Sequence, residues 1–144
     1  MFKNVIVRRP GKSLTEGITS APELGKPNYE LALKQHDNYI EALKTCGVQV
    51  TVLDALEEFP DSCFVEDTAV LTRECAIITN PGALSRKRES SYMVDTIKKF
   101  YSEDKIEYIK TPGTLEGGDV MMVGNHFYVG LSAWIMCYVR EKKK

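Results

Sequence analysis

Residues 59–71 read FPDSCFVEDTAVL and set Asp61, Glu66 and Asp67 among apolar, strand-favouring neighbours. A carboxylate in such company is costly unless it is hydrogen-bonded or faces a cation. Two arrangements meet that requirement. In one, Asp61 caps a turn after Pro60 while Glu66 and Asp67 pair with basic residues elsewhere in the fold. In the other, the acids line a pocket for a cationic ligand. A planar guanidinium suits such a pocket, because its fork of N–H donors matches carboxylate geometry bidentately. Residues 115–119, LEGGD, pose the same choice again. Their paired glycines let another group approach the backbone closely, with Glu116 and Asp119 flanking them at a strand entry; the plainer version is a tight turn with solvated acids.

Other reactive side chains are sparse. Cys46, Cys63, Cys75 and Cys137 are irregularly spaced, with no CxxC pair for zinc and no secretory context for disulfides, so they read as buried thiols and no metal site is expected. His36 falls on an expected helix and His126 beside an expected hairpin turn, each structural or exposed. The 144 residues are 43% hydrophobic and 27% charged, which reads as one soluble globular domain. Nineteen basic against twenty acidic residues give a formal charge of −1, so no global field recruits nucleic acid or an anionic membrane. MFKNVIVRRP is too short in apolar residues for a signal peptide, and no run approaches a membrane span. The expected location is cytoplasmic.

The elements that must position these residues follow from periodicity. NVIVR at 4–8 predicts a buried strand, and residues 10–27 a long loop of the kind that often serves as a lid or binding loop. Asn28 caps an expected helix with Leu31, Ala32, Tyr39, Ile40 and Leu43 near helical spacing, and Gly47 stops it. VQVTVLDA reads as a strand, DTAVLTRECAIITN as two strands about a Thr72–Glu74 turn, SSYMVDTIKKFY as a helix and IEYIK as a strand. GDVMMVGNHFYVGLS reads as a hairpin turning at Gly124-Asn125. In extended backbone Phe64, Glu66, Thr68 and Val70 would share one face and Val65, Asp67, Ala69 and Leu71 the other. The order repeats a ββαβ grammar, and an α/β layered architecture follows.

PDSCFVEDTAVL, NPGALSRKRE and LEGGDVMMVGNHFYVGLS, in that order and spacing, resemble the dimethylarginine dimethylaminohydrolases of the guanidino-group modifying superfamily. SLTEGITSAPELG followed by YELALKQHDNYIEAL resembles the lid loop and first helix of bacterial-type members. The resemblance runs from about residue 3 to Ser132. It implies an α/β fold that is part of a five-bladed propeller of ββαβ modules (pentein), about two and a half modules here, with residues 1–132 as the domain portion and 133–144 as a divergent tail. It also implies a hydrolase chemistry in which a cysteine attacks the guanidinium carbon of N-methylated arginine, an amine leaves, and water releases citrulline from the thiouronium. No metal or organic cofactor is implied. By matching position, Asp61 and Asp67 would accept hydrogen bonds from the substrate's amino and guanidino groups, with Glu66 supporting the pocket. Arg86 would hold the substrate α-carboxylate; on its own residues it reads equally as a solvated arginine at a helix start. Ile18 would cover the substrate, and Glu116 would orient a catalytic histidine.

The family's nucleophilic cysteine and its acid–base histidine belong to segments that find no match here, and Cys63 does not occupy the nucleophile's motif. After Gly130-Leu131-Ser132 the family's Arg-Thr-Asn segment is replaced by AWIMCYVREKKK, as a truncation, a frameshift or a split gene would produce. The expectation is therefore a chain that is catalytically incomplete alone, binds a small guanidino amino acid, and associates with itself or with a complementary C-terminal chain. Arginine deiminase shares the fold and the GGD motif, but typically carries Arg-Asp where this chain has Glu66-Asp67. A citrulline-acting relative and a non-catalytic binding or assembly fragment are the remaining alternatives.

Overall fold

Asn4–Arg8 forms β1 and Gln49–Leu53 forms β2, paired in parallel with Val5 opposite Val50 and Val7 opposite Val52. A tight turn cannot join parallel strands, and the crossover is made by α1, Tyr29–Thr45. The helix begins where Asn28 accepts the Leu31 N–H at 2.9 Å and ends before Gly47, whose φ of 75° lies in the left-handed region. This computed structural model describes residues 2–131. The chain divides into two units, residues 1–65 and 66–144.

In the first unit Val7, Ile40 and Phe59 are buried. The inward stripe of α1 runs through Ala32, Leu33, His36, Ile40 and Leu43, whereas Leu31 and Tyr39, expected on it, are exposed. Residues 10–27 are not a plain loop: Lys12–Glu16 and Pro22–Leu24 each form a short 3₁₀ turn.

In the second unit β3 (Ala69–Leu71) pairs antiparallel with β4 (Ala76–Ile78), and β4 pairs parallel with β5 (Ile106–Tyr108). Between β4 and β5 the chain runs through a 3₁₀ segment, Glu89–Met93, into α2, Val94–Ile97, which completes one ββαβ unit in a single sheet. Ala76, Ile78, Met93, Ile97 and Ile106 form its buried apolar centre. The helix expected over SSYMVDTIKKFY is thus mostly 3₁₀ in its first half, where the Ser91 hydroxyl donates to the Arg88 carbonyl at 2.7 Å and serine competes locally for backbone groups. β6 (Val120–Val123) and β7 (His126–Val129) form the expected hairpin, turning at Gly124 with φ 61°.

Two further expectations are overturned. Residues 65–68 form a 3₁₀ turn rather than the start of a strand, so the alternating faces of residues 64–71 do not hold and β3 begins only at Ala69. The thiols are not buried: Cys46 is exposed, and Cys63 and Cys75 are half-buried. Cys137 and the divergent tail lie outside the described residues.

Candidate functional site

Within residues 66–144 the 3₁₀ turn explains where two of the three acids go. Tightening the backbone at Val65–Thr68 aims Asp67 at Arg86, which is 6% exposed and donates from Nη1 to Asp67 Oδ2 at 2.5 Å. The other Asp67 oxygen accepts the Gly118 N–H at 3.1 Å. The Asp67 carbonyl is fixed in turn by the Thr79 hydroxyl at 2.6 Å. Gly117 and Gly118 are required by this approach, because a Cβ would stand 2.0 Å from the Glu66 carbonyl oxygen at the first and 2.4 Å from Asp67 Oδ1 at the second. Glu66 is exposed and Glu116 half-buried, and neither side chain has a hydrogen bond or ion pair among the described residues.

Arg86 has a second acid that the sequence reading missed. Its Nε lies 3.1 Å from both carboxylate oxygens of Glu89, and its Nη2 donates to Glu89 Oε2 at 2.8 Å. The Arg86 N–H donates to the Ala83 carbonyl and the Glu89 N–H to the Arg86 carbonyl, two successive i→i+3 turns. In that geometry side chains three apart eclipse, which stacks Glu89 against the guanidinium. Burial pulls the Arg86 pKa down, but the hydrogen bonds and charges of Glu89 and Asp67 outweigh it and raise the group above the ordinary arginine value. The alternative of a solvated helix-start arginine is excluded. Two carboxylates on one guanidinium leave this trio at a formal charge of −1.

Residues 1–65 carry the third acid. Asp61 is 7% exposed and accepts the Ile18 N–H at 3.1 Å and 3.2 Å on its two oxygens. Gly17 allows the contact, since a Cβ there would come within 2.7 Å of Asp61 Oδ1. Four residues earlier Glu57, also missed, accepts the N–H groups of Lys12 and Ser13 at 2.9 Å and 3.0 Å. Those hydrogen bonds hold its carboxyl below the usual glutamate range. The Ile18 side chain itself is exposed. The only warning in sequence was the acid-rich run EEFPD opposite a glycine-bearing loop. His36 is half-buried on α1, and burial together with the charge of Arg9 lowers its pKa. Among the described residues no group of three or more His, Cys, Asp and Glu is placed to hold a metal ion, and no helix is long and apolar enough to cross a membrane.

The comparisons with known proteins converge. Residues 21–136 match the family described as N,N dimethylarginine dimethylhydrolase, eukaryotic. The N(G),N(G)-dimethylarginine dimethylaminohydrolase of Pseudomonas aeruginosa is 54% identical over 133 residues, covering 92% of this chain and 52% of that protein. The solved structure of a cysteine-to-serine variant of the Pseudomonas aeruginosa enzyme, complexed with citrulline, superposes with a TM-score of 0.90 at 53% identity, over 94% of this chain and 52% of that one. The N-terminal domain of the cyanobacterial arginine dihydrolase ArgZ superposes with a TM-score of 0.76 at 16% identity, over 94% of this chain and 51% of that one, a likeness of α/β fold alone. The chain spans about half the length of the curated relatives it matches.

Proposed function

The chain belongs to the dimethylarginine dimethylaminohydrolase family, and from that premise we propose that it supplies the substrate-holding part of a hydrolase acting on the C–N bond of N-methylated arginine. Its α/β units then correspond to part of a five-bladed propeller of ββαβ modules, residues 1–132 being the domain portion. The observation that carries this reading is the Asp67–Arg86–Glu89 trio, with Arg86 and Glu89 buried and Asp67 half-buried, beside the paired glycines. It is an acidic setting whose residues fall in the motifs that resemble the family.

In this reading Asp67 receives the guanidino group of the ligand and Glu66 supports it. Arg86 holds the α-carboxylate. Glu116, whose half-buried side chain makes no hydrogen bond or ion pair among the described residues, orients an imidazole in this reading. The nucleophilic thiolate and the proton shuttle come from segments that match nothing in this chain, so the chain alone binds without turnover and needs neither metal nor organic cofactor. Exposed Met121, Phe127, Tyr128 and Leu131 on and after the last hairpin support association with a complementary chain or a second copy.

Calorimetric titration with asymmetric dimethylarginine, alongside a citrulline assay, tests this. Binding without citrulline formation is expected, with dimethylarginine preferred over arginine and citrulline because Glu66-Asp67 stands where arginine deiminases carry Arg-Asp. Citrulline formation by the isolated chain shows the nucleophile to be misassigned, and absence of binding leaves a non-catalytic assembly role.

A further inference from the structure

We propose that Glu89 is the positioning residue that sets the guanidinium of Arg86 for the α-carboxylate of a bound amino acid. Glu89 is 2% exposed and grips the Nε–Nη2 edge of Arg86, while Asp67 meets the Nη1 corner. A guanidinium held at one corner still pivots about its long side chain. Held along one edge by a carboxylate fork, its plane is fixed, and less rotamer freedom is lost when a ligand arrives. The turn that carries both residues is built for this, since consecutive i→i+3 hydrogen bonds at Ala83–Arg86 and Arg86–Glu89 keep the two side chains eclipsed. The neighbouring Ser90 hydroxyl lies 3.3 Å from that of Thr79, which also holds the Asp67 carbonyl, so the trio is anchored from both sides.

Stability alone does not account for the pair. A buried ion pair is generally replaceable by well-packed apolar residues at no loss, whereas an oriented cation is not. A buried Glu89 also works against simple electrostatic attraction, because its charge repels the ligand carboxylate that Arg86 is to hold. The advantage must therefore lie in geometry. This rests on the reading of Arg86 given above.

The test compares asymmetric dimethylarginine with its α-carboxamide by calorimetry, on the full chain and on Glu89→Gln and Glu89→Asp. The unmutated chain is expected to prefer the carboxylate by about tenfold or more, Glu89→Gln to lose most of that preference, and Glu89→Asp to keep part of it. A plain charge effect runs the opposite way, since removing the anion would strengthen the preference. Glu89→Gln with an undiminished preference overturns the positioning role while leaving the Arg86 reading intact. An unmutated chain that binds both ligands equally overturns the Arg86 reading itself, and the role of Glu89 with it. Should Glu89→Gln fail to fold, the Arg86 Nε–H in the unmutated protein reports on the same grip. Slow exchange with water, with and without dimethylarginine, supports the proposal, and rapid exchange in the liganded protein overturns it.

Discussion

In residues 1–65, Glu57 and Asp61 direct their carboxylates at the main-chain N–H groups of Lys12, Ser13 and Ile18, whereas in residues 66–144 Asp67 and Glu89 direct theirs at the guanidinium of Arg86. The first pair fixes a loop whatever side chains it carries. The second depends on one residue. Backbone donors are present at nearly every position, so the loop contacts degrade gradually under substitution, while the trio loses the ion pairs to both of its acids at once when Arg86 is gone. Glu89 and the Arg86 side chain are also far less exposed than Glu57, so the same loss of a partner costs more there.

The largest break in that comparison is Arg86→Ala. It takes the Arg86 cation from buried Glu89 and half-buried Asp67, and a loss of about 3–5 kcal/mol in urea unfolding is expected. Neutralising the trio together, as Asp67→Asn, Arg86→Met and Glu89→Gln, should cost less than Arg86→Ala alone. If the triple variant is the less stable one, the charges are not what makes the single change costly.

A matched pair of glycine substitutions sharpens the contrast. Gly117→Ala drives a Cβ to 2.0 Å from a carbonyl oxygen of the backbone, which cannot step aside, while Gly17→Ala approaches the end of the Asp61 side chain at 2.7 Å. Expected losses are about 3 kcal/mol for the first and about 1 kcal/mol for the second, the upper and lower ends of what overpacking costs. Thermal melts that rank the two in reverse would mean that Asp61 is held more rigidly than the main chain at Glu66.

How much of this was legible in the sequence follows the same division. Elements bounded by local chemistry were readable: Asn28 and Gly47 bracket α1, and Gly124-Asn125 turns the last hairpin. Residues 65–68 were not, because VEDT among apolar neighbours has the composition of a strand, and what bends it into a 3₁₀ turn comes from distant sequence, namely Thr79 on its carbonyl and the glycines at 117 and 118 beneath it. Asp61, Asp67 and Arg86 were singled out, and the structure brings Asp67 and Arg86 into contact. Glu89 leaves no mark in the sequence, because SRKRESS has the composition of a solvated charged stretch. The pairing rests on an i, i+3 relation that only a 3₁₀ turn makes face to face. Glu57 left even less trace, as its partners are backbone groups, which carry no residue identity.

The smallest expected effect concerns Glu57 and is a matter of pH. Its carboxyl lies below the usual glutamate range because the N–H groups of Lys12 and Ser13 favour the ionised form and outweigh the opposing effect of burial, with lesser help from the Ser13 hydroxyl and the charge of Lys12. A carboxyl with a lowered pKa in the folded state stabilises that state fully above its unfolded value, about 4.3 for glutamate. The contribution fades as pH falls below that value and is gone once pH has passed below the folded pKa. Loop 10–27 should therefore become more susceptible to an acid-active protease as pH falls below about 4.3 than it is at pH 5.5. Glu57→Gln still offers one amide oxygen to Lys12 or Ser13, so it should weaken the strap at every pH while flattening its pH dependence. Cleavage of the unmutated loop at a constant rate as pH falls through that value would show that Glu57 is not what holds the loop, and the two regions would then differ less than their geometry implies.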